Sequence, residues 1–172
     1  PAGSVSAGYS HVDFPKNGDI KSGQFYLGYN HSFGALFETM VDGENADALL
    51  ADIPVGYQFR RHQFAIKARH IGVSGDVLTD AGLPQDDFGL LGVQWRTFPS
   101  QEWFLSFDAA GAATGSSQGY MHLLAGLGYQ VPVTRRMSVY GAFAIGGGGG
   151  GAVDAGGGLL LDAGAGIQYS IS

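Results

Sequence analysis

The chain has no cysteine, few charges and no long apolar run, and each lack removes a class of protein. With no cysteine, disulfide scaffolds and thiolate-ligated metal sites are excluded. Asp, Glu, Lys and Arg make up 14% of the residues, against about 25% in ordinary soluble domains. Lys and Arg number 9 against 15 Asp and Glu, a formal net charge of −6. The basic residues form no stripe for nucleic acid; Arg60-Arg61 and Arg135-Arg136 are mere pairs. No segment approaches the roughly 18 consecutive apolar residues of a membrane helix, and the longest apolar pieces are as short as 159–161. Helical periodicity is nearly absent too.

What is present is alternation. Hydrophobic residues reach 45%, yet the mean hydropathy is only +0.06, so apolar and polar residues are finely interleaved. Leu49, Ala51, Ile53, Val55, Tyr57 and Phe59 alternate with Leu50, Asp52, Pro54, Gly56 and Gln58. The same period of two runs through Phe25–Tyr29, through Met121–Val131 and through Leu159–Ile171. A period of two is that of strands with unlike faces. It predicts about ten strands, at 4–14, 23–33, 35–42, 49–59, 63–74, 87–97, 102–112, 119–131, 137–145 and 158–170. Most match the roughly 9–11 residues of a tilted membrane-spanning strand. The predicted connections alternate: longer at 15–22, 43–48, 75–86, 114–118 and 146–157, tighter at 33–34, 60–61, 99–101 and 132–136. One end of the sheet therefore carries the long loops and the other the short turns.

On this pattern of strand length, alternation and loop asymmetry, the sequence resembles the Gram-negative outer-membrane β-barrel proteins over nearly its whole length. The resemblance implies an all-β, antiparallel, up-and-down transmembrane barrel occupying 1–172 as a single domain. It implies location in the outer membrane with a periplasmic N-terminus, and lipid, lipopolysaccharide and other envelope proteins as partners. Such chains commonly end on an aromatic residue, whereas this one ends Tyr169-Ser170-Ile171-Ser172. About ten strands is therefore a minimum if the sequence is a piece of a longer barrel.

In lipid the outer face must be apolar, and the apolar faces here carry no charge through their middles. The charges fall on the opposite face, placing Glu38, Asp52, Lys67, Arg69, Arg96, Asp108, His122 and Asp162 in the lumen. Gly8, Gly28, Gly56, Gly126, Gly128, Gly164 and Gly166 share that face, either to let a narrow barrel coil or to leave room for water, a solute or a plug. Phe33, Phe59, Phe64, Trp95, Trp103, Tyr129 and Tyr169 gather beside the short turns, as an interfacial girdle would. If Arg60-Arg61 is a two-residue turn, Tyr57 faces Phe64, Val55 faces Ile66, and Asp52 pairs with Arg69 across the strands. The glycine run at 146–157 then reads as a mobile loop with Val153 and Asp154 at its tip.

No catalytic residue, cofactor or metal site is expected. His31, Ser32 and Glu38 bring lipid A deacylases to mind, but adjacent His31 and Ser32 must point to opposite faces. Asp76, Asp80, Asp86, Asp87 and His70 resemble the rim acids and histidine of omptin-type proteases, yet read better as solvated loop residues. The glycine run lacks the lysine of a phosphate loop. The leading reading is a narrow channel or a structural envelope barrel. The alternatives are an outer-membrane hydrolase and a soluble or adhesive β-protein.

Overall fold

A computed structural model describes residues 3–15, 21–36, 60–73, 82, 84, 86–115, 117, 119–134, 136–151, 153 and 155–171. Eight antiparallel strands close into one barrel: β1 Gly3–Asp13, β2 Lys21–Leu36, β3 Arg60–Ile71, β4 Phe88–Thr97, β5 Trp103–Thr114, β6 Met121–Pro132, β7 Met137–Gly149 and β8 Leu159–Ser170. Each strand pairs with its neighbours in sequence, and β8 closes onto β1. No helix among the described residues is long and apolar enough to cross a membrane, which says nothing of crossing by strands.

The stagger is large. Followed once around the sheet, the row that begins at Val5 passes Tyr29, Ile66, Val93, Ala109, Leu123 and Gly147 and reaches β8 at Leu159. Val5 itself pairs with Tyr169. The strands must therefore tilt steeply, in the range of about 35–45° that closes small barrels.

Eight strands replace the expected ten because β2 pairs directly with β3. Phe33 and Gly34 are not a turn but part of β2, where Phe33 pairs with His62 and the register shifts between Phe33 and Leu36. Gly34, at a φ of 89°, supplies the left-handed conformation at that irregularity. Arg60 and Arg61 are likewise not a turn: β3 begins at Arg60. Phe64 consequently faces His31 and Trp95, and Ile66 faces Tyr29 and Val93. The expected partners Val55, Tyr57 and Asp52 lie outside the described residues, with Glu38, Gly56 and Phe59. Alternation reported faces correctly but could not say which run pairs with which.

The glycine run divides. Gly146 to Gly149 belong to β7 and pair with β6. Only 150–158 connect the strands, with Gly150, Gly151, Gly156 and Gly158 at positive φ. Val153 is not an exposed tip: it is 3% exposed and packs into an apolar cluster with Leu160.

Outside and inside are inverted relative to a water-soluble barrel. Phe25, Leu27, Ile66, Leu91, Phe107, Met121, Leu123 and Phe143 are exposed, while Gln24, Asn30, Gln63, Lys67, Arg69, Gln94, Arg96, Asp108, His122 and Gln130 are buried. Phe33, Phe64, Trp95, Trp103, Tyr129 and Tyr169 all face outward near the end that carries the chain termini. Trp95 stacks on Phe107 at 5.8 Å, and Trp103 meets Tyr129 edge-on at 5.0 Å.

Candidate functional site: the charged barrel interior

The interior has three storeys. At the end away from the termini, Val12, Phe14, Ile71, Phe88, Leu90, Tyr120, Leu124, Val153 and Leu160 form an apolar cap. At the termini end, Tyr26, Phe98, Phe104 and Tyr140 form an aromatic plug. Between the two lies a charged layer around a cavity of about 50 Å³.

The glycines explain how so narrow a barrel holds aromatic rings. A Cβ on Gly128 would overlap the Phe104 ring, and one on Gly8 or Gly166 would overlap the Tyr26 side chain. Both roles open to these glycines are present: Gly8, Gly128 and Gly166 make room for internal side chains, and a Cβ on Gly126 or Gly164 would press on the backbone of the neighbouring strand, the close approach of a narrow coiled barrel.

The charged layer is built on strand alternation. Lys67 and Arg69 are two apart on β3, Gln94 and Arg96 on β4, Ser106 and Asp108 on β5, so each pair points inward together. His122 enters from β6, Tyr140 from β7 and Asp162 from β8. Lys67, Arg69, Arg96, Asp108 and His122 are each no more than 7% exposed. Asp162 is half-buried and lines the same cavity.

Arg69 is the hub. One guanidinium nitrogen donates to Asp108 Oδ2, and Nη1 lies 2.8 Å from His122 Nε2. His122 Nε2 also lies 3.3 Å from Asp108 Oδ1, so it faces a group that only donates and a group that only accepts, and its tautomer selects which of the two it bonds. Nδ1 faces the Tyr120 hydroxyl at 3.4 Å. Asp52, the partner of Arg69 expected from the sequence, lies outside the described residues; among them the carboxylate partner of Arg69 is Asp108. β3 and β5 are separated by β4, so this pair reaches past a strand, which pairing rules between adjacent strands cannot anticipate. Asp162 Oδ2 accepts from Gln24 Nε2 at 2.7 Å and from Ser10 Oγ at 3.3 Å.

Arg96 and Lys67 are held differently. The Arg96 guanidinium lies between the rings of Tyr140 and Phe104, 4.3 and 4.6 Å from their centroids, and its Nε donates to Gln94 Oε1 at 2.8 Å. Lys67 Nζ sits 4.6 Å above the Tyr26 ring. These are cation–π contacts in a desolvated setting, where such contacts are strongest. Tyr26, Phe104 and Tyr140 escaped the sequence reading, although each is a bulky residue on an otherwise small and polar face.

Among the described residues, the hydrolase candidates come together only as the His70–Asp87 pair. His31 is exposed on the outer wall, while Ser32 turns inward and accepts from Gln63 Nε2 at 3.4 Å. His70 Nε2 lies 3.5 Å from Asp87 Oδ2, both exposed. Asp87 Oδ1 also accepts the Val73 N–H at 2.8 Å, tying the ends of β3 and β4 together. Asp76 and Asp80 are outside the described residues. No cluster of three potential metal ligands occurs among the described residues.

No protein-family model and no curated protein matches the sequence. The fold does match solved structures of Gram-negative outer-membrane β-barrels. Neisserial surface protein A superposes with a TM-score of 0.58 at 13% identity, over 99% of this chain and 98% of the other. Ail, the attachment invasion locus protein of Yersinia pestis, gives 0.45 at 14% identity, over 97% and 96%. At such identities the likeness is one of fold.

Proposed function

We propose that the chain is an outer-membrane protein of a Gram-negative bacterium whose barrel is a closed structural scaffold rather than an open pore. The observation that carries this is the inverted barrel with a filled interior: lipid-compatible side chains outside, and a polar layer sealed between an aromatic plug and an apolar cap inside. The cavity left between them among the described residues is about 50 Å³, room for a few waters. Of the two roles expected from the sequence, channel and structural barrel, packing favours the second.

A periplasmic N-terminus is supported by the turns at the end that carries both termini: of the three connections there, 98–102 and 133–136 are short and 37–59 is long, and outer-membrane barrels keep their short turns in the periplasm. The cap and the connections 14–20, 72–87, 115–120 and 150–158 then face outward, toward lipopolysaccharide and envelope partners.

Fractionation of cells expressing the chain behind a secretion signal, followed by planar-bilayer recording of the detergent-purified barrel, tests the proposal. It expects outer-membrane recovery, extraction only by detergent, slower migration after boiling, and silent bilayers. Release into the soluble fraction would overturn the membrane assignment, and steady conductance steps would overturn closure.

A further inference from the structure

Among the described residues, the charged side chains around the cavity are three cations against two carboxylates. Lys67, Arg69 and Arg96 face Asp108 and Asp162 around the cavity. Arg69 is matched by Asp108, and Asp162 is occupied by Gln24 and Ser10. Among the described residues, neither Lys67 nor Arg96 has a carboxylate within ion-pair distance. Arg96 is 1% exposed, and its Nη1 is buried with no hydrogen-bond partner in the protein. A buried guanidinium with an unused donor is costly unless something accepts from it. The Phe104 and Tyr140 rings lie 4.6 and 4.3 Å from the guanidinium and cover part of it, leaving Nη1 without an acceptor.

We propose that the cavity is a binding site for one small monovalent inorganic anion of halide size, held on the Arg96 side by Arg96 and Lys67. Ser106 and Gln94 also line the cavity and supply a hydroxyl and an amide. Asp108 and Asp162 line it too and repel an anion, which confines the ion to the Arg96–Lys67 side. Water could fill the same volume but could not neutralise the surplus positive charge. The volume of about 50 Å³, room for a few waters, admits a halide together with part of its hydration shell and is too small for a bulky organic anion. The site lies wholly inside the barrel and does not depend on what the loops bind.

Refolding captures an ion whether it enters as the barrel closes or afterwards, so the test refolds the full chain from urea into detergent micelles. Refolding is compared in sodium chloride and in sodium gluconate at equal ionic strength, with the urea midpoint as readout. Wild type is expected to be more stable in chloride, the folding constant rising up to tenfold per tenfold chloride once the site's dissociation constant is exceeded. Arg96→Gln should lose that increment. If Arg96→Gln fails to fold, Lys67→Met decides, with the chloride increment lost and stability in gluconate undiminished. Crystals of protein refolded in bromide should show one anomalous peak in the cavity. Coincident chloride and gluconate curves, an increment retained by Lys67→Met, or bromide found on the surface as an adventitious ion only would each overturn the site.

Discussion

At the scale of single residues, the interior is governed by charge pairing and ring packing. Asp108 is the sole carboxylate bound to Arg69 among the described residues. Replacing Asp108 with Asn leaves a buried guanidinium uncompensated, which should cost about 3–5 kcal/mol. The double variant Asp108→Asn/Arg69→Met should recover much of that loss, because the penalty is an unpaired charge and not the absence of a bond. Equilibrium urea unfolding of both variants checks this, and a double variant as weak as the single one would refute it. Packing gives a second case. Gly128 touches the Phe104 ring so closely that an added methyl collides with it. Gly128→Ala should therefore lose about 1–3 kcal/mol, the usual cost of overpacking. Adding Phe104→Leu should relieve the clash, and a Gly128→Ala chain as stable as the parent would show that the ring moves freely.

At the scale of elements, each strand is a two-faced ribbon with opposite tolerances. Leu123 is 67% exposed and would accept arginine readily in a soluble protein. On a lipid-facing wall, Leu123→Arg should cost up to about 2–4 kcal/mol, the cost at the midplane. Refolding yields into lipid vesicles measure this, with Thr97→Arg, near the termini end of β4, as the milder comparison. Equal yields for the two variants would argue against a lipid-facing β6. The same two-faced character decides how much could be read from the sequence. Period-two alternation is a local signal, so the inward positions of Lys67, Arg69, Arg96, Asp108, His122 and Asp162 follow from their own strands. Pairing is not local. The alternation in 49–59 is as regular as in 63–74, and nothing within either run says that β3 instead lies beside β2. The Arg69–Asp108 pair, reaching past β4, needs the curvature of the closed wall as well as the register. The glycines at 146–149 read as a loop by composition, yet β6 pairs with all four and β8 with Gly146 and Gly147, which holds them extended.

At the scale of the whole molecule, two seals act in series on one lumen. The aromatic plug of Phe104 and Tyr140 closes the termini end, and the cap built on Phe88 and Tyr120 closes the other. Barrels of about eight strands have interiors just wide enough for side chains to fill, so removing those side chains is what could open a path. Resistances in series add, so opening one end leaves the other in control. Phe104→Ala/Tyr140→Ala and Phe88→Ala/Tyr120→Ala should each remain silent in planar bilayers. The quadruple variant should conduct. Its current should favour anions, because Lys67, Arg69 and Arg96 outnumber Asp108 and Asp162 around the cavity. Reversal potentials in a salt gradient give the sign, and gel mobility before and after boiling confirms that each barrel is folded. Conductance from either double variant would mean that the seals are not in series. Cation preference in the quadruple variant would mean that the interior surplus of positive charge does not govern the path that ions take.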